Sequence, residues 1–290
     1  PDTLRSASAP EPTRGNTRLK IGFLGGGNMA SALIGGMIAQ GWARADILAA
    51  DIDAGARERL AASFGIVTAA SPTDIAAASD CLVFAVKPQQ LRTVAAEVAS
   101  AARHQLVVSI AAGILTQDLG RWLGGHDRIV RVMPNTPALL RAGISAAFAT
   151  TGVSPDDRTR VDALLGAVGK VIWVANEGLL DGVTAVSGSG PAYAFYLIEA
   201  MQEAATHLGF DAEQARLLSI ETVLGAAKLA AASDETAATL RARVTSKGGT
   251  TERAVSVLEA RDVKAHVVEA ILAAAEKSRE LGAMLGKDTP

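Results

Sequence analysis

The chain carries little of the usual equipment for acid–base or metal chemistry. Its four histidines, His104, His126, His207 and His266, stand singly, with no H-x-x-x-H spacing and no cysteine partner, so no metal site is expected. Cys81 is the only cysteine and lies in the apolar run CLVFAV, where a small buried hydrophobe is expected rather than a nucleophile. The serines of VSGSGPAY enter a helix from a non-strand segment with no His–Asp relay, which argues against a hydrolase elbow. Two glycine turns remain. GFLGGGNMA, residues 22–30, follows an apolar strand, and VTSKGGTT, residues 244–251, sets two glycines among four hydroxyl residues just before a helical run. Turns of this kind hold anions with backbone N–H groups rather than with titratable side chains.

In the first turn Gly25, Gly27 and Ala30 satisfy G-x-G-x-x-A between a strand and a helix. The three small residues allow, in order, a tight turn, close approach of the backbone to a pyrophosphate, and close helix–strand packing. Asp51 ends the next strand, 21 residues after Ala30, where a carboxylate accepts hydrogen bonds from an adenosine ribose and repels a 2′-phosphate. Asp53 is an alternative, or else caps the next helix, and Arg57 is close enough in sequence to neutralise either. NADH and NADPH both stay open, with Asp51 favouring NADH.

These turns need a scaffold. Near half of the 290 residues are apolar, and Ala, Gly, Val and Leu dominate, which favours closely packed α/β or α structure. LKIGFL, DILAAD, VTAA, CLVFAVKP, QLVVSIAAG, RIVRVMP, ISAAFAT and KVIWV read as strands, most of them alternating with helical stretches. That pattern predicts a doubly wound, mostly parallel sheet buried on both faces, a Rossmann domain over residues 19–177. From Leu179 onward only helical periods occur, so residues 178–290 are expected to form an all-α domain. Residues 1–18 are polar and rich in Pro, Ser and Thr, and read as a disordered extension. The second long helical stretch of the all-α domain is apolar around much of its circumference and needs a second subunit to cover it. A net charge of −2 gives no global reason to bind nucleic acid, no long uncharged apolar run reads as a membrane span, and the lone cysteine fits a reducing cytoplasm.

Composition alone leaves the second turn as either an anion nest or an ordinary helix–helix turn with a Thr cap. The ordered set GFLGGGNMA, FAVKP, VVSIAAG, RVMPNTPA, VSGSGPAYAF and VTSKGGTT resembles the pyrroline-5-carboxylate reductases over Leu19 to about Leu285, with Lys247 where members often carry Pro. The resemblance implies reduction of the cyclic imine Δ1-pyrroline-5-carboxylate to proline by NADPH or NADH. It places the substrate carboxylate at Ser246, Gly248, Gly249, Thr250 and Thr251, with Thr251 also beside the ring nitrogen as the catalytic hydroxyl. Beside Gly25 of the first turn and Asp51 after it, it assigns the cofactor phosphates to Gly27, Asn28 and Met29 and the lining to Ala85, Lys87 and Pro88, with Ala111, Ala112 and Gly113 at the nicotinamide end and Asn135 and Thr136 in a neighbouring loop. It also implies a homodimer with interlocked helical domains, assembling further into decamers. The β-hydroxyacid dehydrogenases share this layout but depend on a lysine early in the helical domain, and no lysine lies between Leu179 and His207.

Overall fold

The computed structural model describes residues 19–287, so the N-terminal extension lies outside the described residues. All eight expected strands form: β1 (Ile21–Leu24), β2 (Ile47–Ala50), β3 (Val67–Ala69), β4 (Cys81–Phe84), β5 (Leu106–Ser109), β6 (Ile129–Met133), β7 (Gly143–Ala149) and β8 (Gly169–Trp173). They make one sheet in the order β3-β2-β1-β4-β5-β6-β7-β8. The helices between them are α1 (Asn28–Ala39), α2 (Ala54–Phe64), α3 (Pro72–Ala77), α4 (Pro88–Val98), α5 (Thr116–Trp122) and α6 (Pro155–Gly166). Each face of the sheet carries its own core. Phe23, Leu33, Ile34 and Met37 fill one side, and Leu82, Phe84, Leu91 and Leu119 the other.

The departure from a purely parallel sheet is at β7, which pairs antiparallel with β6. Only the 3₁₀ segment Thr136–Leu140 and its flanks join them, too short for the helical crossover a parallel return needs. Helix α6 then supplies a crossover, and β8 runs parallel to β7. Asp157 in the first turn of α6 fixes this end of the sheet: it is buried, reciprocates a capping box with Ser154, and takes a bidentate pair from Arg128 at 2.6 and 2.8 Å.

Beyond Trp173 the described chain is helical: α7 (Leu179–Val183), a π turn over Thr184–Gly188, α8 (Gly190–His207), α9 (Ala212–Ala231), α10 (Ala237–Arg243), α11 (Thr250–Ala260) and α12 (Val263–Leu285). Pro191 sits in the first turn of α8, and Gly209, at φ 95°, ends it. Asp211 caps α9 in a capping box with Gln214. Helices α8 and α9 pack on each other, while α12 returns to α7 and the π turn. Large apolar side chains along α8, α9 and α12, among them Phe195, Tyr196, Leu217, Leu229 and Leu272, stay exposed in the single chain. No helix among the described residues is long and apolar enough to cross a membrane.

Candidate active site

The functional loops line up along the C-terminal ends of β2, β1, β4, β5 and β6, where open α/β sheets bind ligands. Gly25 leaves β1 at φ 107°, a conformation L-residues with a Cβ rarely adopt. A Cβ there would lie 2.8 Å from the backbone of Ala85 and Val86, so the glycine lets the β1 and β4 loops touch. The motifs GGGN and FAVKP are thus adjacent walls of one cleft of about 600 Å³, lined also by Asp51, Asp53, Lys87 and Glu97. Gly27 caps α1 without a side-chain bond, and a Cβ on it would meet nothing within 4 Å. The first amides of α1 therefore face open space beside the cleft, which suits a pyrophosphate. By conformation, space and exposed donors, Gly25, Gly27, Asn28 and Met29 fit a dinucleotide.

Asp51 also supports the loop itself. One carboxylate oxygen accepts the Gly26 N–H at 2.7 Å and the other the Asp53 N–H at 2.8 Å, so this side chain braces the glycine turn. Asp53 caps α2 through the Gly55 N–H at 3.0 Å. The Arg57 guanidinium does not meet either carboxylate: it donates to the carbonyls of Asp51 and Ile52 at 2.7 and 3.1 Å. Pro88 starts α4, and Lys87 is exposed at its N-cap position.

In the loop after β5, the strand next to β4, Ala111 and Gly113 are buried while Ala112 between them is exposed, and Gly113 turns at φ 80°. Three contacts seat this region on the helical part of the chain. Gly282 of α12 comes so near that a Cβ on it would lie 2.8 Å from the Gly113 carbonyl oxygen. Glu177, in the segment joining β8 to α7, accepts from the Thr116 N–H at 2.8 Å, the Thr116 hydroxyl at 2.9 Å and Arg131 at 3.2 Å. Asn135 accepts the Ile144 N–H at 2.9 Å and donates to the Ser187 carbonyl of the π turn at 3.2 Å. Both ends of the Asn135 side chain thus hold protein backbone, tying its loop to β7 and to the π turn. The Ser187 hydroxyl bonds back to the Val183 carbonyl at 3.0 Å, within the π turn.

The second turn closes on itself just ahead of α11. Gly248 takes φ 74°, and its N–H is donated to the Glu252 carboxylate at 2.7 Å; the Gly249 N–H goes to the Ser246 carbonyl at 3.1 Å. A Cβ on Gly249 would lie 2.6 Å from the Ser246 Oγ and 3.0 Å from its carbonyl oxygen, so a side chain there would crowd the tight closure. With those two amides used internally, the anion donors narrow to the N–H groups of Thr250 and Thr251, at the start of α11, which has no side-chain cap. The turn closes its hydrogen bonds within residues 241–253, and Ser246, Lys247, Gly248 and Thr250 are exposed in one chain.

Cys81 is inert as expected, its thiol pushed up to about 12 by burial. Sequence reasoning misses Glu177, Arg131, Thr116, Glu252 and Gly282. None belongs to a recognisable local pattern, because each acts on a residue brought to it by the fold or, for Glu252, on a turn whose exact conformation decides the partner.

Comparison with known proteins covers nearly the whole described chain. The family model "Pyrroline-5-carboxylate reductase dimerisation" matches residues 177–281, and the model "NADP oxidoreductase coenzyme F420-dependent" matches residues 20–113. A pyrroline-5-carboxylate reductase of Pseudomonas aeruginosa is 45% identical over 269 residues, covering 92% of this chain and 98% of the relative. The Arabidopsis thaliana enzyme of the same name is 38% identical and covers 90% of this chain and 95% of its own. Among solved structures, a pyrroline-5-carboxylate reductase from Coxiella burnetii superposes with a TM-score of 0.87 at 39% identity, covering 91% of this chain and 99% of that one. A Plasmodium falciparum pyrroline carboxylate reductase with NADP bound gives 0.83 at 28% identity, with 92% and 100% covered.

Proposed function

The chain belongs to the pyrroline-5-carboxylate reductase family and reduces Δ1-pyrroline-5-carboxylate to proline with a nicotinamide cofactor; from that premise we propose which of its residues do the work. The N–H groups of Gly27, Asn28 and Met29 at the start of α1 hold the pyrophosphate, with the Gly25 turn and Ala85–Pro88 as the walls beside it. Ala111, Ala112 and Gly113 support the nicotinamide. The bound cofactor supplies the hydride. The substrate carboxylate is held by the Ser246 hydroxyl and the N–H groups of Thr250 and Thr251. Thr251 Oγ lies beside the ring nitrogen, where it orients the imine and assists its protonation. A C=N carbon is already electrophilic, so holding it in line with the donor does most of what the protein must do. The observation that carries this reading is the uncapped first turn of α11, with two threonines, behind a turn that Glu252 and Ser246 close from within.

The second turn faces outward from its own chain, and the helical part belongs to a dimerisation family. We therefore take the turn of one subunit to meet the cleft of its partner in a homodimer. In the same reading the chain divides into domains at residues 177 and 178, the dimers assemble further into decamers, and the enzyme works in the cytoplasm. Asp51, Asp53, Glu97 and Lys87 line the cleft, Arg57 sits on the carbonyls of Asp51 and Ile52, and Arg59 pairs with Asp53 at 3.7 Å, so it is the Asp51 carboxylate at the end of β2 that disfavours a 2′-phosphate. NADH is accordingly the proposed preferred cofactor.

The test is oxidation of NADH and of NADPH, at equal concentration, on addition of the imine, for the native protein and Thr251→Ala. Loss of one hydrogen bond to a charged or polarised group predicts a fall in kcat/KM of roughly ten-fold or more for Thr251→Ala, with the Kd for NADH unchanged. An unaltered kcat/KM would remove Thr251 from the site, and faster turnover with NADPH would overturn the cofactor preference.

A further inference from the structure

We propose that Glu177 is a positioning residue for the nicotinamide, setting from the junction between sheet and helices the place of the loop against which the ring is held. The proposal rests on the assignment of Ala111–Gly113 to the nicotinamide end of the cleft. Helix α5 begins at Thr116 behind Leu115, which offers no side-chain cap. Sixty-one residues later in the chain, Glu177 supplies one, receiving both the backbone N–H and the hydroxyl of Thr116. The partial positive charge at a helix start favours a carboxylate there. The same carboxylate pairs with Arg131, whose side chain is only 5% exposed, on the strand that leads to the Asn135 loop. A buried guanidinium needs such a partner, so the Glu177 position is tightly determined.

The segment from Ile110 to Leu115 is thereby pinned at two points. Gly113 is pressed against Gly282 of α12, and Thr116 is gripped by Glu177. Gly282 belongs to the helical part and Glu177 to its junction with the sheet, whereas the glycine loop on the pyrophosphate side is braced from within the sheet part, by Asp51 and the Ala85 backbone. Two anchorages of different origin hold the two ends of one ligand. Adenosine and pyrophosphate register to the sheet, while the nicotinamide registers to the helices that also carry the substrate turn. Binding strength then depends mainly on the first anchorage, and hydride alignment on the second.

The experiment compares Glu177→Gln, which keeps the shape and loses the charge, with Glu177→Ala and Ala112→Leu. In cofactor-free protein, hydrogen exchange across residues 110–116 is expected to speed up in the order native, Gln, Ala, with exchange of the glycine loop unchanged. In turnover, Glu177→Gln is expected to lower kcat by roughly ten-fold or more, since a small misplacement costs on that scale. The Kd for NADH and the KM for the imine should stay within about two-fold, because phosphate and carboxylate contacts are untouched. The primary deuterium isotope effect with 4-deuterated NADH should rise as hydride transfer becomes slower relative to other steps. A kcat loss without a larger isotope effect, or one matched by loss of NADH binding, would make Glu177 an ordinary structural cap and overturn the proposal. An unchanged kcat would do the same. Ala112→Leu separates the two layers: if the added bulk leaves NADH binding and turnover intact, the assignment of the loop itself fails. If it impairs them while Glu177→Gln is silent, only the positioning role fails. Should Glu177→Ala not fold, Glu177→Gln alone decides.

Discussion

The sheet half and the helical half solve the burial problem in opposite ways. In the sheet half Ile21, Phe23, Leu33, Met37, Leu82 and Phe84 are wholly or almost wholly enclosed by their own chain. In the helical half Phe195 is 67% exposed, Tyr196 77%, Leu272 64% and Met284 64%, and the buried positions on the long helices are small: Ala205, Ala215, Ser219, Ala275, Ser278 and Gly282. A parallel sheet covered by crossover helices closes on itself, whereas long amphipathic helices joined by short turns leave apolar faces that another subunit must cover. One half is a unit by itself, the other an interface, and the candidate site draws on both.

The largest expected effect probes the self-contained half. Leu33→Ala opens a cavity in a closed core and should cost about 2–5 kcal/mol in denaturant unfolding. A loss below about 1 kcal/mol would mean that the sheet half is looser than its burial indicates. Next comes Leu272→Asp, which places a charge on an apolar helix face. It is expected to dissociate the dimer in sedimentation and to lower turnover by roughly a hundred-fold, while NADH still binds the sheet half within about two-fold. If the variant remained dimeric and active, the exposed stripe of α12 would not be the interface.

The smallest effect is electrostatic and local to the sheet half. The Arg128 guanidinium, with help from Ser154, holds the Asp157 carboxyl at about 2, below its ordinary 3.8. A lowered folded-state value means that the pair stabilises the protein above about pH 4 and loses that contribution as pH falls towards about 2. Its size is about 2 kcal/mol, and Asp157→Asn should remove it at neutral pH and flatten the acid limb of an unfolding titration. An acid limb unaltered by the substitution would mean that the pair adds nothing.

Much of the framework is legible in the sequence because it is local. Each strand is a short apolar run bounded by turns, Gly25 and Gly27 stand at fixed offsets from a strand end, and Asp211 with Gln214 announces a helix start over four residues. The reversal at β7 shows in the sequence only as a short link between two strands, and the pattern of alternating strands and helices does not mark it. Asn135 stands beside the cofactor loop in sequence, yet its amide serves Ile144 and Ser187. Gly248 and Gly249 stand among the expected anion donors, but their N–H groups close the turn on Glu252 and Ser246.

The amino-acid sequence by itself determined the alternation of strands and helices, the phosphate-type turn after β1, and the hydroxylated glycine turn before α11. Each of these is a matter of residue types at short separations, where backbone conformation and periodicity act directly. The tertiary structure alone decided which amides of the second turn remain available, that Asp51 braces the glycine loop, and that Glu177, Arg131 and Gly282 hold the loop after β5 and the start of α5. The long-range contacts among these join residues from 25 to 169 positions apart, and no local preference encodes them. They exist because sheet order and helix packing bring the partners together, and burial then leaves each polar group or close backbone approach a single low-energy arrangement.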